Sequence, residues 1–390
     1  MKDIIRDDIK LLLYKLGQSP AVAILGARQV GKTTLARQAG DAVAKKYIYM
    51  DMESSSDLAL IGDSPEDYLQ YHQDKLIIID EVQAYPILYS RLRGLIDKNR
   101  VNGRFLLLGS VSPGLVKGVS ESLAGRISYL DLYPFKLNEI IDQYNIQKHW
   151  FRGGFPRAFL AATDYDCTEW MQGFTRSYIE RDLSSLFGVN LNSEINRRLW
   201  MMLAHHHSQL FNAEELSRSL GVTAPVVHKY VDYMIGAFLI YKLQPWYINS
   251  GKRLSKAPKI YLRDSGILHY MHRIQDIDAL MSHPIVGASW EGYVIDQIIY
   301  HKPAGIDVYY YRTYSGTEVD AVLVKGNIPI ASVEVKLSNA PTIPKGFYIG
   351  INDLQTTHNY VITPHADLYP AKNAWVCNLA HFICKVLPNL

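Results

Sequence analysis

Cysteine is scarce in this chain: Cys167, Cys377 and Cys384 are the three thiols, and no two stand in a CxxC spacing. That argues against a disulfide framework and a structural zinc, and for a reducing compartment. Long apolar runs are missing as well. No stretch approaches the roughly 20 apolar residues of a spanning helix. The opening MKDIIRDDIK puts charges where a secretory leader needs an apolar run, so a cytoplasmic protein without a membrane partner is expected. Charge of one sign is also lacking. The net charge is +3, too weak to imply nucleic acid by itself, so any such binding needs a local basic surface. Internal repeats and low-complexity linkers are absent. What remains is a 390-residue chain, 48% apolar, with the composition of a globular protein and the length for two or three domains.

Apolar runs alternate with helical patterns in the first third: AVAILG, YIYMD, KLIIID, GRFLLLG and RISYLDL. Strands of this kind, separated by helices, predict a parallel sheet covered on both faces over residues 1–135. Residues 136–282 read as mostly helical. Within them NAEELSRSLGVTAPVVHKYVDYMIGAFLIYKLQPW has a helix, a turn at Gly221, a second helix from Thr223 and an apolar strand, the pattern of a winged helix-turn-helix. Residues 283–390 form a third region, with a helix over 287–301 followed by several strands. The expected fold class is therefore α/β in the first and last regions with a helical, winged-helix stretch between.

Gly26-Ala27-Arg28-Gln29-Val30-Gly31-Lys32-Thr33-Thr34 matches GxxxxGK[ST] in full and sits between an apolar strand and a helix. Glycines let backbone N–H groups wrap phosphates, and the helix N-terminus adds positive potential. Lys32 is placed to reach the β and γ phosphates of ATP, and Thr33 to hold Mg²⁺. In LIIIDE, Asp80 ends a buried strand where a carboxylate can hold Mg²⁺, and Glu81 is placed to polarise the attacking water. Ser110, after FLLLG, is a candidate γ-phosphate sensor. Arg126 in SLAGR is a candidate arginine finger supplied to a neighbouring subunit, which implies a homo-oligomer; a plain surface arginine is its alternative. Arg28 lies in the loop but is suited to structural contacts.

These motifs, with IIIDEVQ, ESLAGR, RGGFPRAF and SYIERDL, resemble the AAA-type ATPases of bacteria and archaea that join a P-loop domain to a C-terminal region of unassigned function. The resemblance implies ATP binding and hydrolysis, and a C-terminal part similar to restriction-endonuclease-like folds. It leaves the substrate open.

The stretch GTEVDAVLVKGNIPIASVEVKL, residues 316–337, bears on that last point. With Asn327 as the turn centre, Asp320 and Glu334 face each other. Strand alternation puts Lys336 on their face and Val319, Ala321, Leu323, Val333, Val335 and Leu337 on the other, against a core. This D…ExK arrangement resembles the PD-(D/E)xK nuclease core, in which two carboxylates hold Mg²⁺ and the lysine orients or activates water. Glu291, on the preceding helix, is the candidate third ligand. A solvated hairpin face carrying a weak charge pair is the alternative. On the helix-turn-helix, His228, Lys229, Lys242, Lys252, Arg253 and Lys256 are candidate phosphate contacts to DNA; docking of a protein partner is equally compatible with such a module. The run His205-His206-His207 is a weak metal candidate, because adjacent side chains do not converge. A Mg²⁺-dependent ATPase acting on DNA is the leading expectation. The rival is a nucleotide-switched scaffold that docks protein partners, with an inert nuclease-like fold.

Overall fold

The structure, a computed structural model, describes residues 4–43, 45–62, 64–112, 123–247 and 254–390. The chain packs as two compact units. The first comprises Met1–Phe135, Ser177–Ser193 and Tyr230–Leu239; the second comprises Lys136–Arg176, Glu194–Lys229 and Ile240–Leu390.

In the first unit α1 (Asp8–Gln18) precedes β1 (Ala21–Leu25), and α2 (Lys32–Ala42) follows the glycine-rich loop. Strands β2 (Tyr47–Asp51), β3 (Leu76–Asp80), β4 (Phe105–Gly109) and β5 (Ile127–Asp131) complete a parallel sheet, with α3 (Ile87–Lys98) between β3 and β4. The strand order is β2-β3-β4-β1-β5. Every residue of β1, β3 and β4 is buried. Their side chains alternate between two cores. Ala23, Leu25, Ile77, Ile79, Phe105 and Leu107 face one, and Val22, Ile24, Leu76, Ile78, Leu106 and Leu108 face the other. Burial on both faces is why these strands read as unbroken apolar runs. The two later segments are part of this unit's fabric. Gly236 accepts a hydrogen bond from the Ser112 N–H at 2.8 Å, and the Tyr178 hydroxyl donates to the Ala237 carbonyl at 3.0 Å.

The second unit holds α4 (Ser193–His205) from Glu194 onward, β6 (Gln209–Leu210), α5 (Ala213–Leu220), the part of α6 (Ala224–Gly236) up to Lys229, β7 (Ile240–Leu243) and β8 (Lys259–Leu262). Asn212 caps α5 through the Glu215 N–H, and Gly221 turns the chain at φ 70°, a left-handed conformation that glycine adopts without strain. The three short strands form an antiparallel sheet in the order β6-β8-β7. Residues on both sides of the β7–β8 connection are pinned to a later strand: Trp246 N–H donates to Tyr310, Tyr310 N–H to Gln244, and Ser255 N–H to Arg312. Lys242 lies on β7, and its ammonium is 4.9 Å from the Phe211 ring. Lys256 is exposed. Lys252 and Arg253 lie outside the described residues.

Next come α7 (Val286–His301), β9 (Ile306–Arg312), β10 (Glu318–Lys325), β11 (Ile328–Val335), α8 (Lys345–Leu354), β12 (His358–Thr363), β13 (Tyr369–Ala371) and β14 (Ala374–Asn378). The mixed sheet runs β13-β14-β12-β11-β10-β9. The β10–β11 hairpin turns on Gly326 and Asn327, both at positive φ (55° and 66°), as a tight two-residue turn demands. An irregularity between Leu323 and Val324 then shifts the register, so that Ala321 pairs with Val333 and Asp320 and Glu334 are the next residues along. The expected facing holds, but through a shorter turn and a bulge.

The expected division of the hairpin into an apolar face and a polar face does not hold. All of β10 from Val319 to Val324 is buried. A second irregularity, against β9, falls between Val319 and Val322. It puts Val319 in the same core as Val322 and Val324, because a bulge inverts the alternation on one side of it.

Candidate functional site

The carboxyl ends of β1, β3 and β4 meet at the glycine-rich loop. A Cβ on Gly26 would lie 2.3 Å from the Leu132 carbonyl oxygen, so the loop can pass that backbone only as glycine. Gly31 takes φ 101° and turns the chain into α2. The loop is fixed from both sides. Val30 is buried and its carbonyl accepts from Arg6 Nη1 at 3.1 Å, while Gly26 N–H donates to Gly109. Gln29 and Thr34 are exposed.

Lys32 is buried, and its ammonium donates to the carbonyls of Gly26 and Ala27, both at 3.0 Å, and to Ser110 Oγ at 2.9 Å. Burial pulls its pKa below the ordinary lysine value, against the attraction of Glu81 and Asp80. Ser110 in turn donates to Glu81 Oε1 at 2.9 Å. The serine thus links the lysine to the acid that follows β3. Glu81 is in the left-handed region, φ 46° and ψ 44°, strained for a non-glycine residue. Gln83 holds its other oxygen. Asp80 Oδ2 accepts from Thr33 Oγ1 and from the Tyr49 hydroxyl, both at 2.7 Å. A hydroxyl and a carboxylate in contact at the start of α2 are an oxygen pair that fits Mg²⁺.

Arg28 is held by acidic side chains. Its guanidinium pairs with Asp182 at 2.8 Å and with Glu53, and its Nε lies 4.0 Å from Glu81 Oε1. Arg126 sits at the other end of the sheet, where its carbonyl accepts from Ala21 at the start of β1. Its side chain forks onto Asp97 at 2.6 and 2.9 Å. It lies away from its own loop; a plain surface arginine and a finger acting on a neighbouring subunit are both compatible with this placement.

In the second unit the structure brings Glu291, Asp320, Glu334 and Lys336 into one buried cluster, together with residues the sequence did not single out. Lys259 Nζ, at the start of β8, lies 3.0 Å from Glu291 Oε1, 2.8 Å from Glu318 Oε1 and 3.8 Å from Asp320 Oδ1. The Tyr261 hydroxyl donates to the same Glu291 oxygen at 2.7 Å. Lys336 pairs with Glu334 Oε1 at 2.7 Å, and Asp320 Oδ2 accepts from the Val335 N–H at 2.9 Å. Glu334 Oε2 is buried without a hydrogen-bond partner. Burial alone would lower the Lys259 pKa, yet Glu291, Asp320 and Glu318 raise it above the ordinary lysine value. Burial and repulsion from Glu334 and Glu291 push Asp320 well above the usual carboxylate range. Glu291 is held below it, because Lys259 and Tyr261 outweigh its desolvation.

These residues do not fit the divalent ion expected at Glu291, Asp320 and Glu334. An ammonium group already occupies one carboxylate oxygen of Glu291 and one of Glu334. Among the described residues no group of three His, Cys, Asp or Glu could hold a metal ion. Of the His205-His206-His207 run, His205 is exposed, and His207 is buried with Nδ1 accepting from the Leu262 N–H.

Comparison with known proteins gives three successive family matches. They are an AAA domain over residues 18–141, a domain of unknown function (DUF8612) over 143–278 and another (DUF4143) over 286–382. An uncharacterized protein of Mycobacterium tuberculosis is 37% identical over 371 residues, 95% of this chain and 82% of its own length. One from Haemophilus influenzae is 23% identical over 295 residues, covering 65% of this chain and 72% of its own length. Among solved structures, the Walker-type ATPase of Pyrococcus abyssi is similar over 69% of this chain and 96% of its own, at 12% identity and a TM-score of 0.43. The phosphate loop, the acids after β3 and the match along nearly the whole length agree: the chain belongs to the family of the Mycobacterium tuberculosis protein, with an AAA domain at its head and a DUF4143 domain at its tail.

Proposed function

We propose that this protein is a Mg²⁺-dependent ATPase that acts on DNA through its helix-turn-helix and its C-terminal sheet. The observation that carries the ATPase reading is the Lys32–Ser110–Glu81 chain beside the Thr33–Asp80 pair. Thr33 and Asp80 would hold Mg²⁺, which neutralises charge on the β and γ phosphates when bound. Loop N–H groups and the α2 N-terminus bind the phosphates. Lys32 exchanges its carbonyl partners for phosphate oxygens and keeps Ser110 at hand. Glu81 orients the attacking water and draws off its proton; Ser110 and Gln83 fix that carboxylate, so little reorganisation is left for the reaction step. Arg126 is proposed to act on a neighbouring subunit's nucleotide after leaving Asp97.

Two features support the DNA reading. The order α4-β6-α5-α6-β7-β8 is that of a winged helix, and the exposed side of α6 carries His228 and Lys229. The succession α7-β9-β10-β11-α8-β12 with its acidic hairpin supports a restriction-endonuclease-like ancestry; no cleavage step is derived from it. One observation favours the rival reading, docking of a protein partner. The flanks of the wing are hydrogen-bonded along β9, which limits how the wing can follow a groove. ATPase rates with and without duplex and single-stranded DNA, at rising salt, separate the two. Stimulation that fades steeply with salt is expected for phosphate contacts. No stimulation and no binding at low salt would reject DNA in favour of a protein partner.

A further inference from the structure

We propose that Lys259 is a built-in cation of the C-terminal carboxylate cluster, standing where a nuclease of this architecture would carry a divalent metal ion. The inference rests on the nuclease-like reading of the sheet and changes what that site is.

The geometry is that of a coordinated cation rather than of a surface pair. The Lys259 side chain is 4% exposed, and acids from two elements surround its ammonium: Glu291 from α7, and Glu318 and Asp320 from β10. An ammonium has three N–H donors and no acceptor; Glu291 and Glu318 oxygens lie within hydrogen-bond reach of it, and Asp320 Oδ1 at 3.8 Å adds its charge. Tyr261, two residues on along β8, steadies the Glu291 oxygen that Lys259 also uses. The Tyr310 ring lies 5.7 Å from the ammonium, an electron-rich face that suits a cation. Lys336 compensates the fourth acid, Glu334. One oxygen, Glu334 Oε2, is buried and unsatisfied; it is the acceptor position that the two lysines leave unfilled.

Such a cluster cannot tolerate loss of its cation, because removing one partner leaves buried uncompensated charge. Nor can it admit a metal ion beside Lys259, because the two cations would repel in a site shielded from water. The lysine also comes from β8, just after Ser255, whose N–H donates to Arg312 of β9. It therefore ties the helix-turn-helix strands to the sheet with the charges that would otherwise serve chemistry.

The test uses the full chain without nucleotide. Mn²⁺ binding is followed by the electron paramagnetic resonance of free Mn²⁺, and the unfolding midpoint is measured with and without Mn²⁺. The parent should bind no Mn²⁺ that is sensitive to Asp320→Asn. Lys259→Ala, and Lys259→Met as a variant that keeps the stem volume, should melt at lower temperature and recover in Mn²⁺. They should bind the ion about tenfold or more tightly than the parent, since the competing charge is gone. Asp320→Asn added to either should abolish the recovery, and Lys259→Arg should keep the metal out. If the parent binds Mn²⁺ and loses it on Asp320→Asn, the proposal is overturned and the nuclease-like reading stands. If both lysine variants fold and neither takes up Mn²⁺, the proposal fails together with that reading. Failure of both to fold even in Mn²⁺ also overturns it, because a metal in the lysine's place should restore the charge balance.

Discussion

Glu81→Gln removes one negative charge and leaves the shape of the side chain almost unchanged. In the structure Ser110 donates to one Glu81 oxygen at 2.9 Å, and Gln83 donates to the other. A glutamine amide still offers Ser110 an acceptor. It turns an N–H₂ toward Gln83, whose own amide must then flip, so folding should lose no more than about one neutral hydrogen bond, ~1 kcal/mol. The proposed nucleotide contacts are Lys32, Thr33 and the loop backbone, none of which the substitution touches, and one charge that repels phosphate disappears. ATP affinity should therefore hold or tighten. The reaction step should suffer, because an amide cannot take the proton of the attacking water. Losing a positioned general base costs about 10²–10⁴ in rate, or ~2.7–5.4 kcal/mol of barrier at 1.36 kcal/mol per tenfold. Phosphate release under saturating ATP measures kcat, and a fluorescent ATP analogue measures affinity. Turnover at the parent rate would show that Glu81 is not the base and refute the role given to the Ser110 link. A fall in kcat matched by lost ATP binding would show instead that the substitution deforms the site.

Two further outcomes follow from the geometry. Arg126→Ala should leave nucleotide affinity unchanged and, if the residue acts on a neighbour, lower kcat only at concentrations where the protein self-associates; a specific rate that is flat on dilution of a monomer removes that role. The buried His269 and His207 make the fold acid-sensitive. Burial pushes their pKa values down to about 4 and about 3, below the ~6.5 of an unfolded histidine. The unfolded chain therefore takes up protons first, so the stability is complete above about pH 6.5 and lost as the pH falls toward 4. At pH 5 the loss should be about 2 kcal/mol for each histidine, read from urea unfolding at pH 7.5 and pH 5. Equal stability at the two values would mean that these rings are hydrated.

The phosphate site was legible in the sequence because its parts are local. Lys32 and Thr33 sit in one motif, and Asp80, Glu81 and Ser110 each end an apolar run whose strand fixes their place. The hairpin was legible in register but not in burial. Nothing in its alternation announces the irregularity between Val319 and Val322, which moves Val319 to the other core. Tyr49 and Glu53 were missed because neither stands in a motif, and Asp182, although it lies in SYIERDL, reaches Arg28 across 154 residues that say nothing of the pairing. Lys259 had a faint signal: a lysine opening the apolar strand KIYL, where all four residues prove buried, calls for a counter-charge. The sequence does not say which acid supplies it.

The first unit is not finished when residue 135 has been made. It also takes in Ser177–Ser193, with the Asp182 that holds Arg28, and Tyr230–Leu239, whose Gly236 and Ala237 carbonyls receive Ser112 and Tyr178. On the ribosome, roughly a hundred further residues must emerge before these partners arrive, a wait of about 5–20 s at ordinary rates of synthesis. Throughout that interval the phosphate loop has its strands but not its full support. A fragment cut at the end of the sheet would remain in that condition permanently, so dissection of this family by motif boundaries alone would yield an ATPase domain lacking part of its own core.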